Sequence, residues 1–141
     1  MHKIILDTNV IISSLIQKSF PYKIVNELFI ENKITLCVSQ ALMTEYHQVI
    51  HRPKFYEYYD FAERAKSLLT DIEIKSIMFF PKISLSLISD KDDNKILELA
   101  DVSLADFIIT GNTTDFSFPY YKQTRIVTPK EYYLYYSLLD G

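Results

Sequence analysis

The segment KIILD, residues Lys3 to Asp7, places a short apolar run directly before a carboxylate. A run of this length is typical of a buried strand. Similar apolar runs occur at Ile34–Val38, Phe107–Ile109 and Arg125–Val127, and helical patterns alternate with them along the chain. This alternation predicts an α/β fold, a three-layer α/β/α sandwich with a central, mostly parallel sheet. The pattern contains no linker and no repeat, so we expect one domain over residues 1–141.

Helical patterns fill the intervals between the predicted strands. A helix is expected to open at Pro21, since proline is favoured at the first helical position. Ser39 is a candidate N-cap for a helix that runs to about Ile50. Thr128 and Glu131 have the spacing of a capping box, with a proline at the first helical position between them. Two further short strand candidates lie on either side of a proline: Ile77–Phe80 and Ile83–Leu87.

Composition excludes several kinds of function. The chain has 141 residues, and its two glycines, Gly111 and Gly141, cannot form a glycine-rich phosphate-binding loop. Its one cysteine, Cys37, excludes a disulfide within the chain and a cysteine metal cluster, and its apolar neighbours predict burial. No apolar stretch is long enough to span a membrane, and a charge occurs too early for a signal peptide. We therefore expect a cytoplasmic protein.

The charge balance bears on possible partners. The formal charge is −3, from 15 Lys and Arg against 18 Asp and Glu. Nucleic-acid-binding proteins usually carry a basic balance, so this acidity argues weakly against such a partner. A small positive turn nevertheless contains Arg52 and Lys54, which are candidates for contacts with RNA phosphates. A solvated loop is the alternative interpretation of so few charges.

Acidic and amide side chains are expected at the end of the sheet where parallel strands bind ligands. Asp7 follows the first strand, Glu45 lies in the helix after the second, and Asp93 lies in the first turn of a later helix. Asn112 and Asp115 follow the apolar run at 107–109. Carboxylates brought close together raise each other's pKa unless a cation lies between them, and all-oxygen ligands suit Mg²⁺ or Mn²⁺. Such an ion can lower the pKa of a water and clamp phosphoryl oxygens.

Each candidate also has an ordinary structural interpretation. Asp7 is well placed to cap the helix that follows it, and Glu45 at the edge of its apolar helix face is able to reach solvent. The other candidates stand at helix starts or turns, where Asp and Asn are common for structural reasons. They are Asp90, Asp92, Asp93, Asp106, Asn112 and Asp115.

The order of these motifs resembles the PIN-domain ribonucleases, with the closest likeness to VapC-type toxins of bacterial and archaeal toxin–antitoxin pairs. The motifs that carry it are Asp7-Thr8-Asn9, Ser39-x5-Glu45, Asp90-x2-Asp93-Asn94, Ala105-Asp106-x3-Thr110-Gly111-Asn112 and Ile126 to Glu131. The resemblance implies a PIN-like sandwich and an acidic quartet that binds Mg²⁺ or Mn²⁺. It also implies cleavage of RNA phosphodiester bonds to a 5′-phosphate and a 3′-hydroxyl.

The resemblance also assigns roles to individual residues. The family's first three acids fall on Asp7, Glu45 and Asp93, whereas the fourth position holds Asn112. An amide brings no charge, so metal affinity is expected to be lower, or Asp115 substitutes as the ligand. The residues that match auxiliary positions are Thr8, Asn9, Asp90 and Asp106.

The last helical pattern predicts association with another chain. Leu134 and Leu138 form one apolar stripe, and a second stripe contains Tyr132, Tyr136 and Leu139. Two stripes are more than one core needs, and exposed apolar surface is typical of association sites. A homodimer or a partner peptide is therefore expected. The resemblance implies both a homodimer and an antitoxin.

Three functions compete at this point. The first is a divalent-metal-dependent endoribonuclease, the toxin of a toxin–antitoxin pair, with RNA as its substrate. The second is a weak or inactive PIN scaffold that binds RNA or protein without cleavage, which the uncharged Asn112 favours. The third is a phosphoryl-transfer enzyme with an aspartyl nucleophile, which would need a second Asp where Asn9 stands.

Overall fold

A mostly parallel sheet forms the middle layer of the protein. The computed structural model describes residues 1–85, 91–111, 116 and 118–140, and for residues 91–93 and 140 it describes the backbone alone. The strands among these residues are β1 (Lys3–Leu6), β2 (Thr35–Val38), β3 (Ile77–Met78), β4 (Phe107–Ile109), β5 (Tyr120–Tyr121) and β6 (Thr124–Val127). They are hydrogen-bonded in the order β3-β2-β1-β4-β6-β5. Each pair is parallel except β5 with β6, which is antiparallel.

Helices flank this sheet and complete the expected three-layer α/β/α sandwich. They are α1 (Thr8–Ile16), α2 (Phe20–Lys23) with a π-helical continuation (Ile24–Phe29), α3 (Gln40–Val49), a 3₁₀ turn (Pro53–Phe55), α4 (Phe61–Lys75), α5 (Lys91–Ser103) and α6 (Pro129–Asp140). Helix α1 packs against α3 and α4, and α2 packs against α6. Within the described ranges, every helix is too short or too polar to cross a bilayer.

The strand order creates a switch point between β1 and β4. From β1 the chain adds β2 and then β3 on one side, and it returns to add β4 and β6 on the other. In the register, Leu6 lies beside Ile109, the last residue of β4. The crevice beyond the ends of two such strands is the usual ligand site of an open α/β sheet. Residues that directly follow β1 and β4 therefore lie where a site is expected.

Burial explains why the apolar runs form the centre of the sheet. Ile4, Ile5 and Leu6 are fully buried, as is Ile108 in the neighbouring strand. Cys37 in β2 is also buried, as its neighbours predict, and burial raises the pKa of its thiol to about 11. These strands are covered on both faces, so their side chains show no apolar–polar alternation.

Helix starts were predictable from capping chemistry. Ser39 caps α3, since its hydroxyl accepts a hydrogen bond of 3.2 Å from the Leu42 amide. At the start of α6, the Thr128 amide donates to the Glu131 carboxylate at 2.9 Å, and the Glu131 amide donates back to the Thr128 hydroxyl at 3.1 Å. This reciprocal pair confirms the predicted capping box.

Other boundaries differ from the sequence prediction. The predicted strand at 77–80 is a strand only over Ile77–Met78, and Phe79 then donates its amide to the Val38 carbonyl. In the candidate strand Ile83–Leu87, residues 83–85 are not in a strand, and residues 86 and 87 lie outside the described residues. The helix expected from Pro21 begins at Phe20 and continues in π-helical geometry.

Candidate functional site

Asp7 lies at the switch point, held between the ends of β1 and β4. Its backbone amide donates to the Ile109 carbonyl at 3.0 Å, which extends the β1–β4 ladder by one residue. Its carboxylate accepts a hydrogen bond of 2.7 Å from the hydroxyl of Thr110, the residue that follows β4. Two neighbouring strands therefore fix the position of this carboxylate.

The carboxylate of Asp7 is in an environment that disfavours its charge. The residue is 8% exposed, and burial raises the pKa of its carboxyl above the usual value of 3.8. The Thr110 hydroxyl lowers the pKa, the negative charge of Glu45 raises it, and the amides of Thr8 and Asn9 lower it. Asp7 stands at the N-cap position of α1, but its side chain makes no capping hydrogen bond. The carboxylate is thus turned toward Thr110.

Glu45 supplies a second carboxylate from α3. Its Oε2 accepts a hydrogen bond from the hydroxyl of Thr8, the residue next to Asp7. Its Oε1 lies 2.6 Å from Nζ of Lys95 in α5, and the Glu45 side chain is 20% exposed. The interpretation of Glu45 as a solvent-facing residue is therefore wrong, because both of its oxygens have partners within the protein.

Tyr46 anchors α3 to the same end of the sheet. This side chain is fully buried, and its hydroxyl donates to the carbonyl of Leu6, the last residue of β1. Since Glu45 is the preceding residue, the anchor fixes the helix at the position from which Glu45 reaches Thr8. The sequence placed Tyr46 on the apolar face of this helix but gave no sign of its hydroxyl contact.

Two residues of this site were missed in the sequence prediction. Thr110 was noted only as part of a motif, although its place directly after a buried strand matches that of Asp7. Lys95 matches none of the motifs. Its sequence context offers no signal for this role, because the burial of its neighbours Asn94 and Ile96, which are 4% and 1% exposed, is known only from the structure.

The structure does not bring every predicted residue to the switch point. Asp106 precedes β4, so it lies at the opposite end of the sheet, where its carboxylate accepts a hydrogen bond of 2.8 Å from the Lys3 amide. Asn9 is exposed on the first turn of α1. Arg52 and Lys54 are exposed after α3, and the Lys54 ammonium lies 5.2 Å from the centre of the Phe55 ring.

Several predicted ligands lie wholly or partly outside the described residues. The backbone of Asp93 lies in the first turn of α5, but its side chain lies outside the described residues. Other predicted site residues lie wholly outside the described residues: Asp90, Asn112 and Asp115. In the part of the chain that the structure does describe, no three His, Cys, Asp or Glu side chains are grouped to hold a metal.

The described part of the site nevertheless fits a divalent cation. Asp7 and Glu45 provide carboxylate oxygens, and the negative charge of Glu45 raises the pKa of Asp7. Hard cations such as Mg²⁺ prefer oxygen ligands and need few from the protein, because waters complete their coordination. A cation between two carboxylates would also relieve their repulsion.

Comparisons with known proteins identify the family of this chain. The family model of the PIN domain matches residues 3–114. The uncharacterized protein MJ1680 of Methanocaldococcus jannaschii is 34% identical over 111 residues, which are 78% of this chain and 70% of that protein. A crystal structure of VapBC2 from Rickettsia felis bound to a DNA fragment from their promoter is similar in fold, with a TM-score of 0.57. That match has 17% identity and covers 89% of this chain and 98% of the other. The chain therefore belongs to the PIN domain family, whose members are generally nucleases.

Proposed function

We propose that this chain is an endoribonuclease that hydrolyses RNA phosphodiester bonds with the help of Mg²⁺ or Mn²⁺. The observation that carries the proposal is the pairing of two carboxylates, Asp7 and Glu45, around Thr8 at the switch point. Burial of like charges is costly unless a cation compensates them. The family to which the chain belongs makes a nuclease the natural use of such a site.

Each residue has a definite task in this proposal. Asp7 and Glu45 hold the ion, together with Asp93 and either Asn112 or Asp115. Thr110 keeps the Asp7 carboxylate oriented and favours its charged form. A bound divalent ion supplies a lowered pKa for an attacking water and positive charge at the phosphate. Exposed Arg52 and Lys54 are candidates for contacts with RNA phosphates.

We also propose that the protein is the toxin of a toxin–antitoxin pair. The similar fold of VapBC2 supports this assignment, and an antitoxin would be the protein partner. Helix α6 supports association, because Leu134, Leu138 and Leu139 are 48%, 81% and 60% exposed. Apolar side chains this exposed on one helix are suited to a homodimer contact.

One observation favours a second function. Asn112 stands where the family pattern has an acid, and its amide brings no negative charge to the metal. A PIN scaffold with weak metal binding would then bind RNA or a protein partner without cutting. A protein that binds Mn²⁺ and RNA but shows no turnover would support this alternative.

The test is cleavage of a single-stranded RNA by Asp7→Asn in a nuclease-free preparation with Mn²⁺. We expect loss of cleavage with an unchanged circular dichroism spectrum, because asparagine fits the same space but lacks the charge. Asp106→Asn is the matched control, since it makes the same chemical change at the opposite end of the sheet. Cleavage by Asp7→Asn at the wild-type rate, or wild-type cleavage that persists in EDTA, would overturn the proposal.

A further inference from the structure

A lysine side chain lies within the acidic site. Nζ of Lys95 is 2.6 Å from Oε1 of Glu45, and the two side chains are only 16% and 20% exposed. The other lysine–carboxylate pair among the described residues differs in this respect. Lys122 lies close to Asp101, but the Lys122 side chain is 61% exposed. Exposed pairs are screened by water and contribute little, whereas a shielded pair interacts more strongly.

The contact involves one particular oxygen of Glu45. The Thr8 hydroxyl already donates to Oε2 and orients the carboxylate. Oε1 is the oxygen of Glu45 that does not accept from Thr8, and this atom contacts the Lys95 ammonium. One negatively charged atom cannot bind an ammonium and a divalent ion equally well at the same time, because the two cations repel each other.

The position of Lys95 in α5 places its ammonium beside Glu45. Lys95 lies on α5, two residues after Asp93, with buried Asn94 and Ile96 on either side. Its aliphatic chain crosses from α5 to α3, so the ammonium reaches Glu45 from a helix that also carries a proposed ligand. Removing one member of such a shielded pair leaves the other charge without compensation, which is costly.

We infer that Lys95 is the internal counter-ion of the metal site: it neutralises Glu45 when no divalent ion is bound and competes with that ion for Oε1. This inference rests on the proposed function, because it takes Glu45 as a metal ligand. Lys95 is a positioning residue in this scheme. It keeps the metal-free site folded and sets the concentration of divalent ion at which the site fills.

The test is Mn²⁺ binding to the full chain, measured by calorimetry without RNA. We expect Lys95→Met to bind Mn²⁺ about tenfold more tightly than the wild type, a typical size for coupling between two competing ligands. In EDTA the same variant should melt at a lower temperature, and Mn²⁺ should raise its Tm by more than that of the wild type. Lys95→Arg retains the positive charge and should keep the wild-type affinity and metal-free Tm.

A second lysine variant separates competition from a change in overall charge. Lys122→Met removes the same charge from an exposed pair, and its Mn²⁺ affinity should equal that of the wild type. If Lys95→Met does not fold, Lys95→Gln removes the charge and keeps a polar group. An Mn²⁺ affinity that stays the same or weakens when the Lys95 charge is removed would overturn the inference.

The outcomes also distinguish this inference from the proposed function. If Mn²⁺ binding depends on Lys95 but no RNA is cleaved, the counter-ion inference is supported and the proposed nuclease function is overturned. If RNA is cleaved but the Mn²⁺ affinity does not depend on Lys95, only the counter-ion inference is overturned. A wild-type protein that binds no Mn²⁺ would overturn both.

Discussion

Replacing Thr110 with valine tests whether the switch point holds a buried, charged carboxylate. Valine has nearly the same shape as threonine, so the main change is the loss of one hydroxyl. That hydroxyl donates to the Asp7 carboxylate at 2.7 Å, and the two residues are 0% and 8% exposed. The backbone bond from the Thr110 amide to the Val127 carbonyl is retained in the variant.

The size of the effect follows from this burial. A hydrogen bond to a charged group contributes about 1.5 to 3 kcal/mol. We therefore expect the free energy of unfolding to fall by about 2 kcal/mol at neutral pH. For a chain of this size, that corresponds to a Tm lower by about 4 to 8 °C.

The sign of the pH dependence comes from the pKa of Asp7. Burial raises this pKa above 3.8, and the Thr110 hydroxyl lowers it, so the valine variant should have a still higher pKa. A carboxyl with a raised pKa in the folded state loses stability as the pH rises from its unfolded pKa through its folded pKa. The destabilisation by Thr110→Val should therefore be largest at about pH 7.5. It should fall toward about 1 kcal/mol at acidic pH, once the pH is below the folded pKa of Asp7 and the contact is between neutral groups.

Urea unfolding in EDTA, followed by tyrosine fluorescence, measures the effect, since the chain has 11 tyrosines and no tryptophan. Thr124→Val is the matched control. Thr124 is also fully buried, but its hydroxyl donates at 2.6 Å to a neutral acceptor, the Ala105 carbonyl. We expect this control to lose about 1 kcal/mol at both pH values. Equal losses for the two variants at pH 7.5, or a loss at Thr110 that does not change with pH, would refute the reasoning.

Two further predictions concern the fold. Thr128→Ala removes the hydroxyl that accepts a hydrogen bond of 3.1 Å from the Glu131 amide, so it should lower the free energy of unfolding by about 1 kcal/mol. An unchanged midpoint of urea unfolding would show that the capping box does not stabilise the protein. Cys37 is fully buried and its thiol has a pKa of about 11, so Ellman's reagent at pH 8 should label it only after urea is added. Prompt labelling of the native protein would contradict the described burial.

The centre of the sheet could be predicted because its strands are buried on both faces. Continuous apolar runs such as Ile4–Leu6 and Phe107–Ile109 suit only such strands or a buried helix, and their shortness favours strands. The edges were harder to predict. The strand predicted at 77–80 is only two residues long in the structure, as β3. Strand β5 was not predicted, and its two residues are too few for any periodicity to show.

Strand direction explains which site residues were placed correctly. In a parallel sheet, a residue that follows a strand and one that precedes a strand lie at opposite ends. Asp7 follows β1 and reaches the switch point, whereas Asp106 precedes β4 and contacts Lys3 at the other end. The resemblance assigns Asp106 to an auxiliary position, and the direction of β4 explains why this residue lies away from Asp7 in the structure.

The partners of the carboxylates could not be predicted, because they depend on how distant helices pack. Lys95 and Glu45 are 50 residues apart and come from different helices. Helical periodicity identifies the inward face of α5, but it does not identify which side chain of α3 lies opposite. The same limit applies to the hydroxyl of Tyr46, whose acceptor is a backbone carbonyl in β1.

The central position of β1 has a consequence during synthesis of the chain. Asp7 and Thr110 are 103 residues apart, so the hydrogen bond between them cannot form until β4 has left the ribosome. At about 5 to 20 residues per second, Asp7 is exposed without this partner for about 5 to 20 s. Lys95 precedes Thr110, so Glu45 can gain its counter-ion before the Asp7 contact forms. The acidic site is thus completed only once β4 has been synthesised and has paired with β1.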